Sequence, residues 1–345
     1  MRPPSVLLVC DAGAEIGGGH VMRSLTLARA LSGRGAACRM LAPASGVAIA
    51  RTFAAGLAIG LAEGPDDPAA LAAFAARREA DVVVFDHFRL GAAEQALGAS
   101  GRAAAAVDDL ADRPMAVALV IDPGPDRRTA DYAGLVGHET RLLLGPEHAL
   151  VRPEFAEARQ AGPGRPAAGP VRRVLVSLGL TDVGGISGRV VGRLLPRLGE
   201  ATADVVLGPL APSRAGLERL AARDSRVRLH AEVRDMAAMM AAADLAVGAG
   251  GSSTWERCVL GLPTLALVLA PNQAPSMAAL ARRGAAEVVD AGAADFEAAF
   301  DRAFAGLMAS GDRRAALARR SAGLCDGLGA GRVAEAVLGL LRRPG

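Results

Sequence analysis

Residues 247–256, VGAGGSSTWE, combine glycines, hydroxyls and a carboxylate in an order that suits a diphosphate. An apolar run ends in Gly250 and Gly251, two serines follow, and Glu256 lies one turn into what the pattern indicates is a helix. Such a strand–turn–helix junction brings together free backbone N–H groups and the positive end of a helix dipole, and both attract anions. The Glu256 carboxylate could accept hydrogen bonds from a ribose diol. The alternative is a tight turn whose serine only caps the helix.

A second candidate site lies near the amino terminus, where Gly17, Gly18 and Gly19 precede His20. The glycines follow an apolar strand-like run, and they let the backbone approach a ligand closely. A histidine at the start of a helix is well placed to act as a base, since the helix dipole disfavours the imidazolium form. The glycines do not have the GxGxxG spacing, which argues against a NAD site. The alternative is that His20 only caps the helix.

Acidic residues end two further strand-like runs, Asp86 with His87 in one and Asp108 with Asp109 in the other. Carboxylates at such positions could serve acid–base chemistry or bind a metal ion. Acids at strand ends also commonly cap helices, and we favour that interpretation for Asp108 and Asp109. The four cysteines are far apart and none has the spacing of a zinc ligand, so the sequence predicts neither a metal site nor disulfides.

Short apolar runs alternate with amphipathic stretches along the whole chain, a pattern typical of parallel sheets with crossover helices. Strands are predicted at residues 6–10, 38–41, 81–86, 103–107, 119–122, 173–177, 203–207, 227–230, 245–248 and 264–269. Helices are predicted at residues 22–31, 69–79, 188–198 and 235–243, after Ser253, and at residues 294–309 and 313–342.

This alternation is interrupted once, by the segment AGPGRPAAGP, whose glycines and prolines cannot continue a helix or strand. A chain of 345 residues is about twice the usual domain size, so two domains are expected. The sequence therefore predicts two doubly wound, Rossmann-like α/β domains at residues 1–157 and 173–345, joined by a linker at residues 158–172. A ligand cleft is expected between them, at the carboxyl ends of the strands.

Composition limits the possible partners. The net charge is +3, the arginines are interspersed with acids, and aromatic residues make up 3% of the chain, so binding to nucleic acid is not expected. The apolar run at the amino terminus is too short for a signal peptide, and no apolar stretch reaches the roughly 18 residues of a membrane span. We expect a cytoplasmic protein with buried thiols and no stable association with membranes.

With these residues in view, the chain resembles the UDP-sugar hydrolases of pseudaminic acid biosynthesis, which cleave UDP-2,4-diacetamido-2,4,6-trideoxy-β-L-altropyranose. Those enzymes are relatives of the lipid-linked UDP-N-acetylglucosamine transferase of peptidoglycan assembly and share its two-domain GT-B fold. The resemblance extends from residue 11 to about residue 333. It is carried by DAGAEIGGGHVMRSLTLA (11–28), FDHF (85–88), VDDLADRP (107–114), DYAGLV (131–136), LLLGPEHALVRPEF (142–155) and GAGGSSTWERCVLGLPTLALVLAPNQ (248–273).

The resemblance implies a role for individual residues. His20 would be the general base that activates water for an inverting hydrolysis that needs no metal and no cofactor. Glu256 would bind the ribose, and the diphosphate would be held by Gly250, Gly251, Ser252 and Ser253. Further contacts to the UDP-sugar substrate would come from Asp11, Arg23, Asp86, His87, Arg152, Asn272 and Gln273. The protein would act as a monomer or weak homodimer.

Three positions depart from the family's pattern, namely Val9 for a common arginine, Phe88 for the usual tyrosine and Leu180 for a common glycine. These departures leave open a related diamino or N-acyl sugar. Two other functions are compatible with the sequence. One is a GT-B glycosyltransferase that passes the sugar of a UDP-N-acetylhexosamine donor to an alcohol acceptor. The other is a non-catalytic protein that binds a UDP-sugar.

Overall fold

The computed structural model describes residues 2–13, 16–162, 168–208, 211–231 and 233–342. Its strands are β1 Ser5–Cys10, β2 Ala37–Ala42, β3 Ile59–Glu63, β4 Val82–Asp86, β5 Ala103–Val107, β6 Leu119–Asp122, β7 Arg141–Leu144, β8 Arg173–Ser177, β9 Thr202–Leu207, β10 Val227–Ala231, β11 Leu245–Ala249, β12 Thr264–Val268 and β13 Glu287–Asp290. Its α-helices are α1 Gly19–Ser32, α2 Ala44–Phe53, α3 Pro68–Ala76, α4 Ala92–Ala99, α5 Pro153–Gln160, α6 Ile186–Leu194, α7 Arg214–Ala221, α8 Met236–Ala241, α9 Ser253–Val259, α10 Ala274–Arg282, α11 Phe296–Ala309, α12 Gly311–Ala322 and α13 Gly329–Gly339.

The first compact unit comprises Met1–Val151 together with Leu328–Gly345. Its seven strands form a parallel sheet in the order β3-β2-β1-β4-β5-β6-β7. The central strands are apolar on both faces because helices cover both sides of the sheet, as a doubly wound fold requires. Strand order reverses between β1 and β4, where Cys10 lies beside Asp86. In such sheets the carboxyl ends of the strands at the reversal form the usual ligand site.

The second compact unit, Arg152–Gly327, contains a six-stranded parallel sheet in the order β10-β9-β8-β11-β12-β13. One apolar cluster of its core contains Phe296, Phe300 and Phe304 of α11. Strand order reverses between β8 and β11, which pair directly. The residues that follow β11 therefore lie at the carboxyl end of a strand next to the reversal of strand order. The residues that follow β1 and β4 lie at the equivalent place in the first unit.

The unit boundaries differ from those suggested by the sequence, because the last helix returns to the first unit. Val333 and Val337 of α13 pack in the same apolar cluster as Leu27 and Leu31 of α1. Of the predicted linker, residues 158–160 continue α5, residues 168–172 form neither helix nor strand, and residues 163–167 lie outside the described residues.

All ten predicted strands are present, each within one residue of the predicted ends. The prediction of one closing helix over residues 313–342 is wrong, because α12 ends at Ala322 and α13 begins at Gly329. Gly327, in the break, has a φ of 82°, a left-handed conformation that a helix cannot contain. The four cysteines are buried free thiols, as predicted. In the ranges that the structure describes, no helix has both the length and the apolar character to cross a bilayer.

Candidate active site

His20 lies in the first turn of α1 and contacts the last residue of β4. Its Nδ1 is 2.5 Å from Oδ1 of Asp86, and both side chains are buried. An Nδ1–H that donates to the carboxylate leaves the lone pair on Nε2, which is the tautomer of a general base. Arg23 Nη2 also lies 3.2 Å from Nδ1, a longer contact than that with Asp86, and Nε2 makes no hydrogen bond with any residue that the structure describes. The Phe88 ring packs edge-on against the imidazole, with 4.4 Å between ring centroids.

The alternative that His20 caps the helix is wrong. The cap position of α1 is Gly18, and no side-chain cap hydrogen bond is made at this end of the helix by the residues that the structure describes. The imidazole is engaged with Asp86 instead, across the reversal of strand order.

Asp86 is held ionised by Arg23, one turn further along α1. Arg23 Nε donates to both carboxylate oxygens at 3.0 and 2.8 Å, and Nη2 donates to Oδ1 at 2.6 Å. Burial opposes ionisation of Asp86, but Arg23 and His20 outweigh it and hold the pKa of the carboxyl well below its usual value. Arg23 also donates from Nη1 to Asp109 Oδ2 at 2.6 Å. Asp86 and Arg23 were expected to contact the substrate, but their hydrogen-bonding groups are engaged with other side chains of the protein. Their arrangement is suited to positioning His20.

Asp11 and His87 supply two polar atoms that the described residues leave without a partner. His87 Nδ1 accepts the Arg89 backbone N–H at 3.1 Å, so the imidazole proton lies on Nε2. Burial lowers the pKa of His87 to about 3, with Arg89 and His20 acting in the same direction, and the ring is neutral. Asp11 Oδ2 lies 3.4 Å from His87 Nδ1, and burial raises the pKa of this carboxyl. A buried donor and a buried acceptor without partners are uncommon in folded proteins and suit a bound ligand.

A second polar cluster follows β5 and β6. The Tyr132 hydroxyl lies 2.9 Å from Asp108 Oδ2 and 2.7 Å from Asp122 Oδ2. One hydroxyl hydrogen can be donated to only one of these carboxylates, so a protonated carboxyl at the other satisfies both contacts. The prediction that Asp108 and Asp109 cap a helix is wrong, because the chain between β5 and β6 contains none. Asp108 instead accepts the Ala111 N–H of a turn at 2.8 Å.

This cluster makes stability depend on pH. Burial raises the pKa of Asp122 from 3.8 to about 6, against the opposing effects of Arg127, Tyr132 and Gly124. Between pH 3.8 and about 6 the Asp122 carboxyl of the folded chain holds a proton that the unfolded chain has released. The contribution of this carboxyl to stability is therefore complete below about pH 4 and is lost as pH rises through 6. We expect the free energy of unfolding of the wild type, relative to Asp122→Asn, to fall by about 2 kcal/mol over this range.

Equilibrium denaturation at several pH values measures this difference. Asp112→Asn, at an exposed carboxylate close to the same cluster, is the control and should show no such trend. A difference between wild type and Asp122→Asn that stays constant or grows with pH would contradict the assignment.

In the second unit, the glycine–serine turn (residues 250–253) joins β11 to α9. The backbone N–H groups of Gly251, Ser252 and Ser253 donate to no residue in the described part of the chain, and neither do the two serine hydroxyls. A Cβ added at Gly251 would have no atom within 4 Å, so the turn is open on that side. These free donors have the chemistry expected of a diphosphate site.

Glu256, in the first turn of α9, is held by Arg152. The guanidinium donates from Nε and Nη2 to Oε1 at 3.0 and 2.9 Å, and packs over the Phe155 ring. Oε2 of Glu256 makes no hydrogen bond within the described ranges, and it is the oxygen left for a ligand. Arg152, expected at the substrate, thus directly orients Glu256.

Asn272 and Gln273 lie together on the 3₁₀ turn Pro271–Gln273. Gln273 Oε1 accepts the Leu269 N–H at 2.9 Å and so stabilises the loop after β12. The Asn272 side chain is partly exposed and stays a predicted ligand contact. No group of three or more His, Cys, Asp or Glu side chains in the described ranges is arranged to hold a metal ion.

No family model matches the chain. Over 149 residues it is 28% identical to the spore coat polysaccharide biosynthesis protein SpsG of Bacillus subtilis (strain 168), an alignment that covers 43% of each protein. The chain therefore spans less than half the length of this curated relative. Among solved structures it is similar to UDP-GlcNAc 2-epimerase from Neisseria meningitidis bound to UDP-GlcNAc, with a TM-score of 0.68 and 12% identity over 97% of this chain and 100% of that one. It is also similar to MurG of Acinetobacter baumannii, with a TM-score of 0.63 and 16% identity over 98% of this chain and 100% of that one.

These likenesses, together with the two parallel sheets, establish the fold. The chain has the two-domain, Rossmann-like GT-B fold, as the sequence predicted.

Proposed function

We propose that this protein is a UDP-sugar hydrolase that acts on UDP-2,4-diacetamido-2,4,6-trideoxy-β-L-altropyranose or a close UDP-diamino sugar. The observation that carries the proposal is the orientation of His20, whose Nε2 is left as a base by the contact of Nδ1 with ionised Asp86. The similarity in fold to an epimerase bound to UDP-GlcNAc supports a UDP-sugar as the substrate class. The name of the Bacillus relative, a polysaccharide biosynthesis protein, is consistent with such chemistry.

The second unit binds the nucleotide in this proposal. Glu256 Oε2 accepts hydrogen bonds from the ribose diol, and the N–H and O–H donors of the glycine–serine turn bind the diphosphate. Negative charge grows on the diphosphate as the anomeric C–O bond breaks. Donors that are already in place stabilise that charge without reorganisation, which is a large catalytic effect in many enzymes.

The first unit supplies the base. His20 Nε2 takes a proton from water as the water oxygen bonds to the anomeric carbon, and UDP leaves with the electron pair of the broken C–O bond. Attack on the face opposite to UDP inverts the anomeric centre. Asp86 stabilises the imidazolium that forms. The unpartnered atoms of Asp11 and His87 offer an acceptor and a donor to the substituents of the sugar.

A glycosyltransferase is the second candidate function, because the same base can deprotonate an alcohol in place of water. Solved structures with this fold include MurG and the calicheamicin glycosyltransferase CalG4, which favours that alternative. Incubating the protein with UDP-sugars and measuring UDP release, with and without alcohol acceptors, separates the two functions. Release of UDP at full rate without acceptor supports the hydrolase. Release only with an acceptor supports the transferase, and binding without release supports a non-catalytic protein.

The ribose contact gives a direct test of nucleotide binding. Glu256→Ala should weaken UDP binding by about 1.5–3 kcal/mol, the range for hydrogen bonds to a charged group. Calorimetry with UDP measures the loss. Glu154→Ala is the matched control, because Glu154 lies 3.5 Å from the same Arg152 but is assigned no ligand contact. Unchanged UDP affinity in a folded Glu256→Ala variant would reject the assignment.

A further inference from the structure

Arg257 carries a buried positive charge beneath the glycine–serine turn. The residue is 2% exposed, and its guanidinium makes no ion pair with any carboxylate in the described part of the chain. Nη1 donates to Ser253 Oγ at 3.0 Å, while Nη2 donates to the Ala249 carbonyl at 2.7 Å and to Thr254 Oγ1 at 3.0 Å. Nε has no partner among the described residues. All of its hydrogen-bond partners in that part of the chain are therefore uncharged.

An uncompensated buried charge is costly, and buried arginines in proteins normally pair with carboxylates. Arg23 in the first unit follows this rule, with Asp86 and Asp109 as partners. The neighbouring carboxylate of Glu256 favours the charged form of Arg257 electrostatically, but it makes no ion pair with Arg257 and is bonded to Arg152 instead. Burial lowers the pKa of Arg257 to about 10, so the side chain still carries its charge at neutral pH.

The backbone makes room for this guanidinium. A Cβ at Gly248, in β11, would lie 2.4 Å from Arg257 Nη1, so only glycine fits there without displacing the charge. Hydrogen bonds to the Ala249 carbonyl and to Thr254 could be made by a neutral side chain. The positive charge itself forms no ion pair with the residues that the structure describes, and an anion bound at the turn would supply one.

Ser253 lies between the Arg257 guanidinium, to which it is hydrogen-bonded, and the open side of the turn. Its Oγ accepts from Arg257, so its own hydroxyl hydrogen is free, and this hydrogen has no acceptor among the described residues. A hydroxyl that accepts from a cation becomes a stronger donor, because hydrogen bonds in a chain polarise one another. The Ser253 hydroxyl therefore joins the free N–H groups of residues 251–253 as a donor suited to an anion.

We propose that Arg257 is a positioning residue for nucleoside diphosphates, supplying the positive charge that Ser253 and the glycine–serine turn present to the phosphates. This inference rests on the proposed function, in which UDP binds to the second unit. The electrostatic attraction comes from a buried side chain under the turn, and α9, with seven residues, contributes its backbone N–H groups only.

Calorimetry with UDP and with uridine on the full chain tests the inference. Arg257→Gln keeps hydrogen-bonding capacity and removes the charge, so UDP affinity should fall on the order of 10–100-fold while uridine affinity changes by less than about threefold. Arg257→Lys keeps the charge and should retain most of the UDP affinity. Arg314→Gln is the matched control, a buried arginine of the same unit that contacts backbone carbonyls, and it should leave both affinities unchanged.

The outcomes separate the inference from the proposed function. A wild type that binds no UDP rejects the proposed function. If the wild type binds UDP and Arg257→Gln binds it equally well, only the inference about Arg257 is overturned. The same conclusion follows if Arg257→Gln loses affinity for UDP and for uridine to the same extent. If Arg257→Gln does not fold, Ser253→Ala is measured in the same way and tests the inference in its place. This variant is suitable because Arg257 acts on the ligand through the Ser253 hydroxyl. Wild-type UDP affinity in Ser253→Ala then overturns it.

Discussion

Replacing His20 with asparagine should reduce UDP release on the order of 10²–10⁴-fold, the usual contribution of a general base. Asparagine retains a polar group of similar reach that can still bond to Asp86, but it cannot accept a proton from water. UDP binding should stay close to that of the wild type, because Glu256 and the glycine–serine turn lie in the other unit. The loss should therefore appear in kcat and leave UDP affinity unchanged.

Parallel measurement of UDP affinity and UDP release in wild type and His20→Asn checks this result. His138→Asn is the matched control, because His138 is almost fully exposed and contacts only Glu139 at 3.2 Å among the described residues. Near-normal turnover in His20→Asn would exclude His20 as the base and leave Asp11, whose Oδ2 has no hydrogen-bond partner among the described residues, as the next candidate.

Local sequence signals singled out candidate site residues but not the contacts among them. His20 could be singled out because glycines precede it, and Asp86 because it ends a fully apolar strand. Their contact depends on β1 and β4 being neighbours, a pairing between segments about 75 residues apart along the chain that no local pattern encodes. The role of Arg23 in holding Asp86 was not predicted for the same reason.

Burial on both faces explains which elements were predicted. Central strands such as β4 are apolar throughout, and the sequence identifies them to within one residue. Three of the four edge strands, β3, β7 and β13, were missed, and all three are partly exposed; the fourth, β10, is also partly exposed but was predicted. Arg257 was also missed, since one arginine in a short helix looks like a solvent-facing residue until the packing around it is known.

The second large effect is expected at Asp86, through its control of the His20 tautomer. In Asp86→Asn the amide NH₂ can donate to Nδ1, which moves the imidazole hydrogen to Nε2 and removes the lone pair that accepts the proton from water. Turnover should fall on the order of 10²–10⁴-fold with UDP affinity unchanged. Asp109→Asn is the control, because it weakens the other ion pair of Arg23 without touching His20. A much smaller loss in that variant assigns the effect to the His20 contact.

The double variant His20→Asn/Asp86→Asn distinguishes a joint role from two separate ones. If Asp86 acts only by orienting and stabilising the His20 imidazole, the double variant should be about as active as the less active of the two single variants. The reason is that the effects of substituting residues that act as a unit do not add. Losses that multiply would mean that Asp86 contributes to catalysis independently of His20, for example by contacting the substrate. The 2.5 Å contact between His20 Nδ1 and Asp86 Oδ1, shielded from solvent, favours the joint role.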